Sequence, residues 1–198
     1  MVSKILASII IVFRNFIFLV FSPYKTLRKI SQEKDYSQPL IILLLVFLYF
    51  KFIYYLREPI FPATVIFLFF MINFLIMISL FYLLSRMFDK KITFSSFLFT
   101  FMYSLLPTLI WFIANSLLFY FLPPPRTMSF LGRGFSIFFI AFSLSLLLWK
   151  IILIYLSLRF SSRQGFYRII FMICIYLVIF IPVSILFSFF KIFRIPFI

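Results

Sequence analysis

The chain has 198 residues, of which 66% are apolar and 24% aromatic, and it carries nineteen Lys and Arg against four Asp and Glu. A soluble domain of this length has too little interior to cover so much apolar surface. The apolar residues form runs of about 20 or more, the length that crosses a hydrocarbon core of ~30 Å. The composition therefore excludes a soluble domain and predicts an all-α, polytopic integral membrane protein.

Residues 1–34 precede the first long span, and we expect them to form two helices at the membrane surface. A narrow polar stripe recurs every four or seven residues on a helix that is otherwise apolar: Lys4, Ser8, Asn15 and Ser22. Such an amphipathic helix lies in the interface with its basic side toward headgroups, and it breaks at Pro23 into a second, basic helix. The alternative, a sixth span over residues 1–21, would place Arg14 inside the membrane.

Residues 35–198 contain five apolar runs separated by short segments that hold proline, glycine or clustered charge. Such residues stop a spanning helix or hold it at the water boundary. The predicted spans cover residues 39–56, 63–86, 94–122, 134–160 and 166–190. The connections are too short for a soluble domain, so the sequence predicts one compact five-span helical bundle behind the interfacial helix.

The cations are distributed unequally between the two sides of this bundle, which sets its orientation. Twelve flank the side of the N-terminus, five flank the opposite side, and two lie within spans. We therefore expect a cytoplasmic N-terminus and a C-terminus outside. The cations form no dense patch, so no nucleic-acid partner is expected. Eight of the twelve form a basic edge for anionic lipid headgroups: Lys25, Arg28, Lys29, Lys90, Lys91, Arg159, Arg163 and Arg168.

Several chemistries lack the residues that they need. The chain has no histidine and one cysteine, and its four carboxylates all lie outside the predicted spans. Metal sites, histidine triads and paired-carboxylate catalysis are therefore not expected. Three glycines do not build a phosphate-binding loop. We expect a protein that is not an enzyme and holds neither a metal nor a cofactor.

One cation, Lys150, interrupts the apolar stretch LLLWKIILIYL (146–156). Lys150 lies about 13 Å along the helix from Arg159, and helical side chains lean toward the N-terminus, away from that nearer boundary. Steps of seven through Lys150 meet only polar residues: Ser136, Ser143, Ser157 and Gln164. Such a stripe should face protein or water. The alternative is a lysine that merely tolerates lipid.

The third span offers an opposite wall to this stripe, because hydroxyl residues recur there every four positions. Packing alone explains a stripe of small hydroxyl residues. The predicted polar site for an anion, a lipid or a partner comprises Lys150, Ser143, Ser157, Ser104, Thr108, Asn115 and Asn73. No carboxylate lies in a span, so the counter-charge of Lys150 is a lipid phosphate, a solute anion or a partner's acid, unless the amine is neutral.

Four features resemble the Yip (Ypt-interacting) family of membrane proteins: FSPYKTLRKI (21–30), Pro39 at the first span, YSLLP (103–107), and LLLWKIILIYLSLRF (146–160) with Trp149. The resemblance covers roughly residues 15–190. It implies a five-span membrane domain with a cytoplasmic N-terminus. Eukaryotic members bind small GTPases and support vesicle trafficking through a longer soluble N-terminal region. About 34 mostly apolar or basic residues stand there in this chain, so we expect a prokaryotic relative in a cytoplasmic membrane.

These patterns predict a non-enzymatic scaffold or partner subunit of a membrane assembly. We expect it to contact anionic lipid headgroups and either other protein subunits or further copies of itself. One alternative is a transporter component in which Lys150 lines a path for an anionic solute or a lipid headgroup. The other is the membrane-trafficking adaptor that the resemblance implies.

Overall fold

The computed structural model describes residues 2–57, 61–121 and 130–189. Within these ranges the chain is helical and contains no strand, which confirms the all-α prediction. Eight helices follow in chain order: α1 (Val2–Phe21), α2 (Pro23–Ile30), α3 (Ser37–Arg57), α4 (Ala63–Phe88), α5 (Phe94–Tyr103), α6 (Leu106–Phe121), α7 (Phe130–Ser162) and α8 (Phe166–Phe189).

Five stretches of these described ranges are long and apolar enough to cross a membrane, which confirms the predicted number of spans. They are Ser37–Tyr55, Ala63–Phe88, Phe94–Leu118, Gly132–Ser162 and Phe166–Leu186. Their ends differ from the predicted ones by a few residues, as helix ends commonly do. The predicted separators 57–62 and 123–133 lie partly outside the described residues, and Arg126, Lys191 and Arg194, three of the outer cations, lie wholly outside them.

The third span is divided into α5 and α6 by Pro107. Proline has no N–H, and its ring clashes with the carbonyl four positions earlier, so α5 ends at Tyr103, four residues before Pro107. At the break, the N–H of Leu105 donates to the Met102 carbonyl at 3.2 Å, and α6 restarts when the Leu109 N–H donates to the Leu105 carbonyl at 2.9 Å. The predicted span over 94–122 is therefore two helices joined by a tight turn.

The third span is the centre of the bundle. In its apolar window 72% of the residues are buried, against 28% or less in the other four spans. Helix α5 packs against α2, α3, α4 and α7, and aromatic rings fill the contacts. Phe101, for example, stacks on Phe81 at 5.5 Å and on Phe97 at 6.3 Å between ring centroids. The outer spans direct apolar side chains away from this core, as helices in contact with lipid do.

Helices α1 and α2 pack over one end of the bundle, which also carries the turns between α4 and α5 and between α7 and α8. We call it the capped end. The first half of α1 contacts it where Ser8 donates to the Asp35 carboxylate. The ring of Tyr24, at the start of α2, lies 4.9 Å from that of Phe160 near the end of α7. Both contacts are at the same end of the bundle. The position of α1 at the membrane interface, and not as a sixth span, stays a prediction.

Candidate functional site

A buried chain of hydrogen bonds joins α1 to the membrane spans. The side-chain amide of Asn15 donates to the Tyr103 hydroxyl at 3.1 Å, and that hydroxyl donates to the side-chain carbonyl of Gln38 at 2.6 Å. All three side chains are exposed by 2% or less. Since a buried amide without partners is costly, these bonds fix α1 against the start of α3 and the end of α5. None of the three is among the predicted site residues.

The polar stripe of α1 turns into the bundle rather than toward headgroups. Ser8 and Asn15 are both buried, so the predicted orientation was wrong for these two side chains. The physical reason is that the bundle supplies their hydrogen-bond partners, in Asp35 and Tyr103. Arg14 lies on the outer face of α1 and is exposed. The residues around it on that face are exposed and apolar, which suits contact with lipid.

Asp35 fastens α1 to the segment that precedes α3. The Ser8 hydroxyl donates to one of its carboxylate oxygens at 2.6 Å, and the Ser37 backbone N–H donates to the other at 3.1 Å. The hydrogen bond from Ser8 outweighs partial burial and holds the pKa of Asp35 below its ordinary value. Asp35 is therefore an ionised acceptor at neutral pH.

The predicted polar stripe of the fourth span faces the third span. Ser157 donates to the Thr100 carbonyl at 3.2 Å, and the indole N–H of Trp111 donates to the Ser143 hydroxyl at 3.1 Å. These two contacts lie on either side of Lys150 on one face of α7. The antiparallel register between them places Lys150 level with the break between α5 and α6.

Lys150 has no hydrogen bond and no ion pair to any residue that the structure describes. Its side chain is partly exposed on α7. Only 6% of the apolar window of this span is buried, so most of the helix surface faces outward. Lys150 itself lies on the face of α7 that turns toward the break between α5 and α6, at about the middle of a span.

The other predicted site residues do not supply a partner for Lys150. Ser104 and Asn73 donate to carbonyls of their own helices, at 2.7 and 2.9 Å. Asn115 is partly buried on α6. The hydroxyl oxygen of Thr108 is buried without a hydrogen-bond partner, at a depth close to that of Lys150. The stripe on the third span thus serves mainly helix packing, and Thr108 is its one unsatisfied member within the described ranges.

All eight cations of the predicted basic edge are exposed at the capped end. Four of them line an open cleft of about 570 Å³, which we call the basic cleft: Arg28 from α2, Lys91 from the turn before α5, and Arg159 and Arg163 from the end of α7. None of the described residues that line it is an Asp or a Glu. A concave surface with one sign of charge concentrates anions.

Hydroxyl groups of α5 and α7 form the floor of the basic cleft. The Ser161 and Thr100 hydroxyls are 2.7 Å apart, and both lie within hydrogen-bond distance of the Ser96 carbonyl, at 3.1 and 2.9 Å. This arrangement holds the two helices together directly beneath the cations. At the rim, the Thr93 hydroxyl makes no capping hydrogen bond at the start of α5, so it is free to donate to a ligand.

Arg163 reaches the basic cleft from a left-handed backbone conformation. Its φ is 55°, in the region that non-glycine residues avoid at a cost of about 1–2 kcal/mol. The Arg163 N–H donates to the Arg159 carbonyl at 3.1 Å and closes the last turn of α7. Glycine commonly occupies this position at helix ends. Arginine here therefore combines backbone strain with a cationic side chain at the cleft.

A second, smaller cleft of about 360 Å³ lies between α1 and α2. Its cations are Arg14, Lys25 and Lys29, and no carboxylate is found among its described lining residues. The two clefts together account for six of the eight predicted edge cations and one further arginine. The capped end is consequently rich in cations and concave at two places.

The chain matches a known family over most of its length. Residues 17–189 match the family model described as the Yip1 domain. That range contains helices α2 to α8 and every residue that lines the basic cleft. No curated protein sequence and no solved structure matches the chain.

Proposed function

Because the chain belongs to the Yip1 domain family, we propose that it is a non-enzymatic scaffold subunit of a membrane assembly. In this proposal the capped end rests on anionic lipid headgroups, and the fourth span docks a second membrane protein. The observation that carries the proposal is Lys150, an amine at mid-span to which no described residue supplies a partner. Ionisable groups at that depth are rare and ordinarily paired.

The docking partner is expected to carry an Asp or Glu within its own transmembrane helix. All four carboxylates of this chain lie outside its five spans, so a second copy has none to offer at the depth of Lys150. Headgroup phosphates remain at the membrane surface, about 13 Å or more from Lys150 along α7. A carboxylate on a neighbouring helix is the counter-charge that fits, and the partly exposed side chain of Lys150 leaves that helix an approach.

The experiment is photo-cross-linking in cells that produce the full chain. A photoreactive residue at Leu147, one turn from Lys150, should capture one discrete membrane protein, and Lys150→Met should abolish the capture. The same photoreactive residue at Val178, an exposed position on α8, is the control and should give no Lys150-dependent product. Capture at Leu147 that is unchanged by Lys150→Met would refute docking through the amine.

Transport is a second candidate, and the buried, unpartnered hydroxyl of Thr108 favours it. Thr108 and Lys150 lie at similar depth beside a helix break, and broken helices line substrate sites in transporters. If Lys150 lines a path for an anion, the purified protein in liposomes should give anion flux that Lys150→Met removes. Flux without any partner chain would favour transport over the scaffold.

We also propose that the capped end faces the cytoplasm, because the excess of Lys and Arg lies there. Accessibility of single cysteines tests this orientation in a Cys174→Ser background. Lys90→Cys at the capped end should be protected from an impermeant thiol reagent in intact cells. Phe61→Cys at the opposite end should react. The reverse pattern would overturn the orientation.

A further inference from the structure

The four cations of the basic cleft come from three separate segments of the chain, at Arg28, Lys91, Arg159 and Arg163. A charged surface that only rests on a membrane needs no concavity, since diffuse attraction falls off over a Debye length. The cleft instead gathers its cations around a volume of about 570 Å³ and keeps carboxylates out of its described lining. Both features are typical of a site for one compact anion.

Three of these cations are arginines, whose planar guanidinium groups bind phosphate oxygens two at a time. The free hydroxyl of Thr93 adds a neutral donor at the rim. A phosphodiester brings one negative charge to the cleft, whereas a phosphomonoester brings between one and two near neutral pH and presents three terminal oxygens. The surplus of cations therefore matches the phosphomonoester better.

The position of the cleft also bears on where such an anion comes from. Its lining includes residues 91–93, just before the third span, and residues 163–165, between the fourth and fifth. Headgroups occupy this level of a bilayer. A lipid could place its headgroup in the cleft while its acyl chains stay beside the spans, so the lipid source requires no movement out of the membrane.

We propose that the basic cleft is a binding site for a phosphomonoester group, carried by a membrane lipid. The inference rests on the proposed contact of the capped end with anionic headgroups, and it makes that contact specific. The terminal phosphate oxygens accept hydrogen bonds from Arg28, Arg159 and Arg163, and Lys91 adds a further positive charge. The hydrogen-bonded floor beneath these cations holds α5 and α7 at a fixed spacing.

The test uses the full chain in phosphatidylcholine nanodiscs that contain either phosphatidate, a phosphomonoester, or phosphatidylglycerol, a phosphodiester, at matched charge. Native mass spectrometry counts the lipids retained on the released protein. The wild type should retain phosphatidate over phosphatidylglycerol by roughly tenfold. Arg28→Gln combined with Lys91→Gln should remove most of that preference.

The matched control combines Lys34→Gln with Lys90→Gln, which removes the same charge from exposed positions that line neither cleft. It should leave the preference nearly unchanged. Arg163→Gly is a further cleft variant that relieves backbone strain, so loss of binding in it is not due to a weakened fold. Added glycerol 3-phosphate separates the sources: displacement of phosphatidate at millimolar concentration would assign the phosphomonoester site to a soluble ligand.

Equal retention of the two anionic lipids by the wild type would overturn the inference and leave the general headgroup contact standing. An equal loss in the cleft variant and the control variant would do the same. Retention of neither anionic lipid would overturn both the inference and the proposed headgroup contact.

Discussion

Two regions of the molecule carry cations that form no ion pair with any described carboxylate, and their surroundings differ. The basic cleft opens at the capped end, and its four cations are exposed. Lys150 stands at mid-span, where each lysine costs about 2.5–3.5 kcal/mol on insertion scales. An unpaired cation therefore costs little free energy in the cleft and much more at Lys150. We therefore expect the ligand of the cleft to exchange, and the proposed protein partner of Lys150 to remain bound.

The largest effect is expected from Lys150→Met, which keeps the length of the side chain and removes its charge. In the intact assembly, the partner's carboxylate would be left unpaired, at a cost of roughly 3–5 kcal/mol. In the isolated chain, loss of an expensive charge should be neutral or stabilising. The measurement is the thermal midpoint of each preparation, with and without anionic lipid. Lys150→Arg should be tolerated better, though not fully, because a planar fork replaces a compact charge.

Lys51 provides the matched control for this prediction. It also lies in a span, but it is exposed near the end of α3, with its ammonium 5.7 Å from the centre of the Phe47 ring. Lys51→Met should change the assembly by much less than Lys150→Met. An assembly that keeps both its partner and its thermal midpoint with methionine at position 150 would show that Lys150 is merely tolerated by the lipid.

The next largest effect concerns Tyr103, which connects the capped end to the interior of the bundle. Tyr103→Phe removes the hydroxyl that accepts from Asn15 and donates to Gln38. Both amides would lose a partner in a buried place, so we expect a loss of about 1–3 kcal/mol. Chemical unfolding in detergent measures this loss. Tyr120→Phe, at an exposed position on α6, should have no comparable effect.

This prediction also shows where sequence patterns stop being informative. The five spans and the basic edge follow from hydropathy and charge, which are local properties of the chain. The bond between Asn15 and Tyr103 joins residues 88 positions apart, and no periodicity links them. Asn15 shares the seven-residue spacing of Ser8, but that spacing defines a face without saying what the face contacts. Only the packing of α1 on the bundle decides it.

The basic cleft was partly predictable for the same reason. Arg28, Lys91, Arg159 and Arg163 are all in the predicted edge, since each flanks a span on the same side. Their convergence around one cavity depends on how α2, α5 and α7 pack, which the sequence pattern does not contain. The stripe through Lys150 is the opposite case. All of its residues lie on one helix, so the seven-residue repeat alone was enough to predict that they share the face that turns toward the third span.

A smaller effect is expected from glycine substitutions at the basic cleft. Arg159 and Arg163 differ there in backbone conformation, so glycine should affect them in opposite directions. Arg163→Gly relieves a positive φ and should stabilise the fold by about 1 kcal/mol. Arg159→Gly places glycine inside α7 and should destabilise it by about 1 kcal/mol. Both variants should retain less phosphatidate. Thermal midpoints and lipid retention, measured together, check the pair; midpoints that move in the same direction would contradict it.

The smallest effect lies at Asp35, the carboxylate at the capped end that accepts from Ser8. Because its pKa is lowered in the folded state, Asp35 stabilises the fold above its unfolded pKa of about 3.9. That contribution is lost as the pH falls through the folded pKa. Ser8→Ala should thus cost less than about 1 kcal/mol at pH 7 and nearly nothing under strongly acidic conditions. Melting curves across pH test this; a cost independent of pH would assign Ser8 to packing alone.

Lys150 also lies in the electric field that a living membrane maintains. One elementary charge moved fully across 100 mV corresponds to about 2.3 kcal/mol, so a lone ammonium half-way through feels roughly 1 kcal/mol. A carboxylate at the same depth cancels this work, because the pair carries no net charge. An unpartnered subunit would therefore respond to the membrane potential in its tilt and depth, and an assembled one would not. Docking at Lys150 would therefore remove this contribution of the membrane potential.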